Sequence, residues 1–244
     1  VSRPDVARGT VAASVELVCS GRKEETMPTQ TAARVIDGRG KTITTYVVFA
    51  IAEAMRSMEV GEAVDVLTDE FEAFIADIPA WCETTGHVLL VSESVAEGHR
   101  FVIQKSRPLE SDASLAMVIS DPGLEELLSP LGFALAAALE GAEVHLYFQG
   151  PAVRVLKRGY HPKLSGWGRP FSRLAAAGMA KTGHIAAHDK LIQLRSLGAK
   201  LYVCGGSLQP FKVRREDLVF DDVPIIEYLS FMPILQRSSV QWYA

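Results

Sequence analysis

Cysteine is scarce in this chain. Among 244 residues there are three, Cys19, Cys82 and Cys204, and they form neither a CxxC pair nor a metal-ligand spacing. An odd, scattered set argues against a disulfide framework and fits free thiols in a reducing cytoplasm. A basic excess is missing as well: the formal net charge is -4, which argues against a nucleic-acid partner. No apolar run is long enough to span a membrane, and the nearest, residues 131–148, is cut by Glu140, Gly141 and Glu143. A secretory signal is not expected either. The apolar residues 11–18 have little positive charge ahead of them, and Ser20-Gly21-Arg22-Lys23-Glu24-Glu25 follows without a cleavage pattern.

What is present is the composition of a globular protein, 48% hydrophobic and 22% charged, in a chain long enough for two domains. Residues 1–31 show no sustained periodicity and are expected to be a mobile extension, with Met27-Pro28 as a natural start. Residues 32–107 read as a first domain. Arg34 to Asp37 is a short strand, and Thr42 or Thr44 caps a helix running to Met58. Ala63 to Leu67 alternates as a strand. Asp69 caps a second helix from Phe71 to Thr85, kinked or broken at Pro79 and stopped by Gly86. Two strands, His87 to Glu93 and His99 to Lys105, complete a βαβαββ order, a two-layer α+β unit that can fold alone.

Residues 108–113 are polar and form the linker, and residues 114–244 read as a doubly wound, mostly parallel α/β sheet domain. Its expected strands are Leu115 to Ile119, Glu143 to Phe148, Leu201 to Val203, Val223 to Ile226 and Val240 to Tyr243. Its expected helices run from Asp121-Pro122-Gly123 to Glu140, from His184 to Leu197 and from Tyr228 to Arg237. Residues 150–183 hold so many glycines and prolines that a long functional loop or lid is expected there, with Tyr160-His161 and Trp167-Gly168-Arg169 as its candidate residues.

The chemistry concentrates at Leu201-Tyr202-Val203-Cys204-Gly205-Gly206-Ser207. A buried strand ends on a thiol, two glycines uncover the backbone, and Ser207 has the chemistry of a helix N-cap. A cysteine at the carboxyl end of such a strand stands where open α/β sheets bind ligands, and a helix N-terminus favours its anion. The same position also suits a buried structural cysteine, so position alone leaves two readings. Other signals are weaker. Gly38-Arg39-Gly40-Lys41-Thr42 has the end of a P-loop, but Val35 stands where the first glycine belongs. His184 and His188, four apart on an expected helix, can start a metal site, yet HExxH is absent. No metal or other cofactor is implied.

Residues 36–106 resemble the TusA/SirA-like sulfur-carrier domain. The resemblance rests on Asp37-Gly38-Arg39-Gly40, Met58-Glu59-Val60-Gly61-Glu62, Asp77-Ile78-Pro79-Ala80-Trp81-Cys82, Gly86-His87 and Arg100 to Lys105. In that family a Cys-Pro-x-Pro opens the first helix and its cysteine carries the persulfide. Here Ile43, Thr44, Thr45 and Tyr46 stand instead, so the resemblance implies a non-carrying docking module, with Cys82 in its core. Residues 114–244 resemble the DsrE/DsrF-like sulfur-relay family, on the opening strand and helix, on Leu201-Tyr202-Val203-Cys204 and on the closing Glu227 to Tyr243 pattern. This second resemblance implies that Cys204 accepts and passes on sulfane sulfur, flanked by Gly205, Gly206 and Ser207. It also implies donor and acceptor proteins as partners, a homo-oligomer, and a sulfurtransferase-type carrier in the cytoplasm. The competing expectation is a non-catalytic assembly scaffold.

Overall fold

The computed structural model describes residues 34–181 and 183–244. The expected N-terminal extension, Cys19 included, lies outside the described residues. In the first part, β1 (Arg34–Asp37), α1 (Thr44–Arg56), β2 (Ala63–Thr68), α2 (Glu72–Thr85), β3 (Val88–Val95) and β4 (Gly98–Gln104) run in the expected order. The sheet order is β1-β2-β4-β3, with β1 parallel to β2 and the other pairs antiparallel. Val64, Val66, Phe101 and Ile103 point from the sheet to Val47, Ile51, Phe74 and Ile78 of the two helices, and all are buried. That arrangement matches the two periodicities, 2 for strands and 3.6 for helices.

Several local expectations are corrected. The N-cap position of α1 belongs to Ile43, not to Thr42 or Thr44. Asp69 does not cap α2; its carboxylate instead accepts the Gly40 N–H at 2.6 Å, and Phe71 holds the N-cap position. Pro79 does not break α2, which continues to Thr85 before the left-handed Gly86 closes it.

The second sheet is entirely parallel, in the order β8-β7-β6-β5-β9. Its strands are β5 (Ser114–Ile119), β6 (Glu143–Phe148), β7 (Lys200–Cys204), β8 (Ile225–Ile226) and β9 (Val240–Tyr243). Its α-helices are α3 (Leu124–Leu139), α4 (Ser172–Lys181), α5 (Ala187–Ser196), the single turn α6 (Gly205–Leu208) and α7 (Tyr228–Arg237). Alternate residues of each strand enter different cores. Leu115, Met117, Leu146, Phe148, Leu201 and Val203 join the core that includes α3 and α5. Ala116, Val118, Tyr147, Tyr202 and Cys204 face Phe231, Ile234 and Leu235 of α7 on the other side. Helices on both faces make this a doubly wound sheet. Strand β8 begins two residues later than expected because Pro224 has no N–H to give the ladder.

The segment expected as a long loop is largely helical. A 3₁₀ helix covers Gly150–Leu156, a second covers Gly166–Phe171, and α4 comes directly after it. His184 is not on the next helix. Gly183, at φ 91°, ends the preceding turn, and α5 starts only at Ala187, so His184 and His188 do not share a helix face.

The two sheet units share one continuous core. Across the join, Trp81 Nε1 donates to the Leu139 carbonyl at 3.0 Å and Arg56 Nη2 to the Ser196 carbonyl at 2.7 Å. The connecting residues are pinned as well, since the Leu109 N–H donates to the Thr85 carbonyl at 3.1 Å.

Candidate active site around Cys204

Strand β7 ends on Cys204, whose thiol is 1% exposed. Because side chains alternate along a strand, the placement of Val203 in the α3/α5 core sends Cys204 to the α7 face. The pairing of Cys204 with Ile226 of β8 brings the next residue, Glu227, over the end of the strand. Glu227 Oε2 lies 3.8 Å from the Cys204 sulfur, and Oε1 accepts the Gly206 N–H at 2.6 Å. Gly205 makes the approach possible: a Cβ there would come within 2.8 Å of Glu227 Oε1. The carboxylate is therefore held by backbone while its other oxygen meets the thiol.

Two phenols complete the surroundings. Tyr147, on the neighbouring strand, is buried, and its hydroxyl has no hydrogen-bond partner of ordinary geometry among the described residues. Its pKa is pushed up, first by burial and then by interaction with the adjacent Cys204 sulfur. Tyr228, at the start of α7, is raised as well, first by the negative charge of the Cys204 sulfur in its thiolate form and then by desolvation. The Tyr147 ring stacks on Phe231 with centroids 4.7 Å apart and meets Tyr228 edge-on at 6.1 Å. A thiol in this position has a carboxylate able to take its proton and an unpaired phenol able to donate to a charged sulfur.

The flanking residues expected from sequence take different roles. Gly205 and Gly206 lie directly against Glu227. The N-cap position of α6 belongs to Cys204, not Ser207, whose buried hydroxyl accepts the Gly150 N–H at 2.8 Å. Ser207 thus ties α6 to the 3₁₀ helix after β6, and the Gly206 N–H is taken by Glu227. Glu227, Tyr147 and Tyr228 carry no local sequence signal of a role at the thiol. They lie far along the chain from Cys204 and meet it only through strand pairing.

The other candidates sit elsewhere. Cys82 is 2% exposed in the first core, and burial pushes its thiol up to about 12. In the P-loop-like turn, Asp69 holds the Gly40 N–H, and Arg39 bridges Asp37 and Glu97. Tyr160 and His161 line a concavity to which Cys204 does not contribute, and Trp167 is 98% exposed.

Residues 46–105 match the family model described as sulfurtransferase TusA, and residues 113–238 match that of the DsrE/DsrF-like family. Among solved structures, the crystal structure of the ychN protein from E. coli matches with a TM-score of 0.40 and 15% identity, over 54% of this chain and 99% of that one. No curated protein matches in sequence.

Proposed function

Because the chain belongs to the DsrE/DsrF-like family and carries a TusA domain ahead of that part, its role lies in sulfur transfer, and we propose that Cys204 is the residue that accepts and passes on sulfane sulfur. The observation that carries this reading is the Cys204 thiol set 3.8 Å from a backbone-held carboxylate and beside the Tyr147 hydroxyl, which has no other partner among the described residues.

In the loading step the Cys204 proton passes to Glu227. The thiolate attacks the outer sulfur of a donor persulfide, the donor S–S bond breaks, and the donor leaves as a thiolate. Cys204 then carries the persulfide, and the Tyr147 hydroxyl donates to its terminal sulfur. In the unloading step an acceptor thiolate attacks that outer sulfur. The Cys204 S–S bond breaks, and the returning Cys204 thiolate regains the proton from Glu227. No net oxidation occurs. Since Cys204 is 1% exposed, each partner must first displace the exposed Tyr228, beside the sulfur at the start of α7, while Glu227 stays held by the Gly206 N–H.

The preceding domain acts in this proposal as a docking module. Ile43 to Tyr46 supply no thiol at the first helix, and Cys82 is buried with a raised pKa. The test is intact mass after incubation with a persulfide donor. In a Cys19→Ser background the chain should gain one sulfur atom, a further Cys82→Ser should gain the same, and a further Cys204→Ser should gain none. Equal loading of Cys204→Ser sinks the assignment. The burial of Cys204 also supports the scaffold reading. Native Cys204 that resists both alkylation and loading over hours near neutral pH would decide for the scaffold.

A further inference from the structure

Between Glu143 and Asp189 the sequence has no acidic residue and seven lysines and arginines. Lys157 and Arg158 pair with Asp217 and Asp221, and Arg154 lies over the Phe211 ring. Lys163, Arg169 and Arg173 form no ion pair among the described residues. They line an open concavity of about 1050 Å³ together with Tyr160 and His161. His161, Pro162 and Ala176 also belong to an adjoining cavity of about 140 Å³. Its walls are mostly apolar, from Leu124, Leu127 and Leu128 of α3, Met179 of α4 and Ile185.

Lys190 of α5 reaches this apolar cavity and is 2% exposed. Its Nζ donates to the Leu128 carbonyl at 3.4 Å and lies 5.8 Å from the centre of the Tyr46 ring. An ammonium has three donors, so one long hydrogen bond leaves it short of partners, and no carboxylate pairs with it among the described residues. Burial lowers its pKa to about 8, which leaves it mostly charged at neutral pH. His184 lines the same cavity, and its buried Nδ1 has no partner among the described residues. An undersatisfied cation and an unpaired imidazole nitrogen are costly on an apolar wall unless an anion completes them.

We propose that this cavity binds a small monocarboxylate, its carboxylate on Lys190 and His184 and its apolar body against the α3 leucines and Ile185. Lys163, Arg169 and Arg173 draw the anion in through the adjoining concavity. The volume is close to that of an engineered cavity of about 150 Å³ that admits benzene, which fixes the ligand's size. None of the residues in this argument touches Cys204, so the site stands independently of the sulfur-transfer reading.

The test is calorimetric titration of the full chain with benzoate at pH 7, with benzyl alcohol as the neutral control. Benzoate should bind at one site, with benzyl alcohol about tenfold weaker or more, the scale of a lost charged hydrogen bond. Lys190→Met should weaken benzoate by a similar factor. Ala176→Trp, at an exposed position on α4, should close the shared opening and abolish binding while leaving Lys190 in place. Absence of benzoate binding, equal affinity for benzyl alcohol, or an unchanged affinity in either variant overturns the proposal. If Lys190→Met fails to fold, the Ala176→Trp result decides.

Discussion

Single residues carry the proposed chemistry on both faces of the parallel sheet. At Cys204 the informative residue is Glu227. Glu227→Gln keeps an oxygen for the Gly206 N–H, which in the native protein is bound at 2.6 Å, but removes the proton acceptor. If Glu227 acts as general base, loading near neutral pH should slow by about a hundredfold, the lower end of general-base contributions. The loading rate of the variant should then climb with pH as hydroxide takes over, whereas wild type should change less. Rates from quenched mass spectra across pH check this, and a Gln variant as fast as wild type removes Glu227 from the mechanism. On the other face, Lys190 has its pKa lowered from 10.5 to about 8 by burial, beside Tyr46 and His184. Below pH 8 both folded and unfolded chains hold the proton, and the burial penalty is fully present. Between pH 8 and 10.5 the unfolded chain binds more protons, so this group's contribution to stability rises with pH. Cys82, raised from 9.0 to about 12, works in the opposite direction above pH 9. The difference between wild type and Lys190→Met cancels that term. Lys190→Met should be the more stable below pH 8, and its advantage should shrink by up to about 3 kcal/mol by pH 10.5. Urea denaturation at a series of pH values measures it, and a pH-independent gap would contradict the assigned burial cost.

At the scale of elements, sequence periodicity revealed what packs on a flat or regular partner. Strands β5, β6 and β7 are continuous apolar runs because both faces are covered, one by α3 and α5 and the other by α7. Helix α7 was legible through Tyr228 to Arg237, although Pro233 lies inside it. The 150–183 segment was not legible, for two physical reasons. Its first two elements are 3₁₀ helices, whose three-residue period does not match the pattern sought. In α4 only Ser172 is buried, so no apolar stripe exists to read. The candidate position of Cys204 was visible because a strand, a thiol and two glycines adjoin in sequence. Its partners were not, because the pairing of β7 with β6 and β8 brings Tyr147 and the Glu227-Tyr228 turn in from elsewhere in the chain. Trp81 illustrates a different gap: its motif marked the domain, but its hydrogen bond joins α2 to the end of α3. Trp81→Phe should keep most of the ring packing and leave the Leu139 carbonyl without that donor. The expected cost is about 1–3 kcal/mol in urea unfolding, the penalty for a buried group left unpaired. A loss no larger than that of an exposed substitution would mean that water reaches the carbonyl.

For the whole molecule the question is how far the TusA-like part depends on the parallel-sheet part. Its own sheet and two helices enclose an apolar layer, with Val64, Val66, Phe101 and Ile103 against Val47, Ile51, Phe74 and Ile78. That layer favours independent folding of residues 32–107. Yet Trp81 bonds to α3, Arg56 to the end of α5, and Tyr46 lies against Lys190. A gap of about 250 Å³ between the two parts is lined by Thr44, Val48 and Trp81 on one side and by Ala136 and Leu139 on the other. An isolated piece would turn this face to water and lose the two hydrogen bonds, each worth about 1 kcal/mol net. We therefore expect residues 32–107 to fold cooperatively but with a lower urea midpoint than the full chain. The piece should take up no sulfur from a persulfide donor, because its sole cysteine, Cys82, is 2% exposed with a thiol pushed up to about 12. Adding a thiol by Ile43→Cys, just before α1, should give a group that alkylates readily. It should load persulfide only weakly, since Thr44 and Tyr46 replace the prolines that shape this turn in the carrier family. Far-UV denaturation and intact mass answer both points on one preparation. An unfolded piece would show that the shared core is obligatory, and loading of the unsubstituted piece would contradict the division of roles between the two parts.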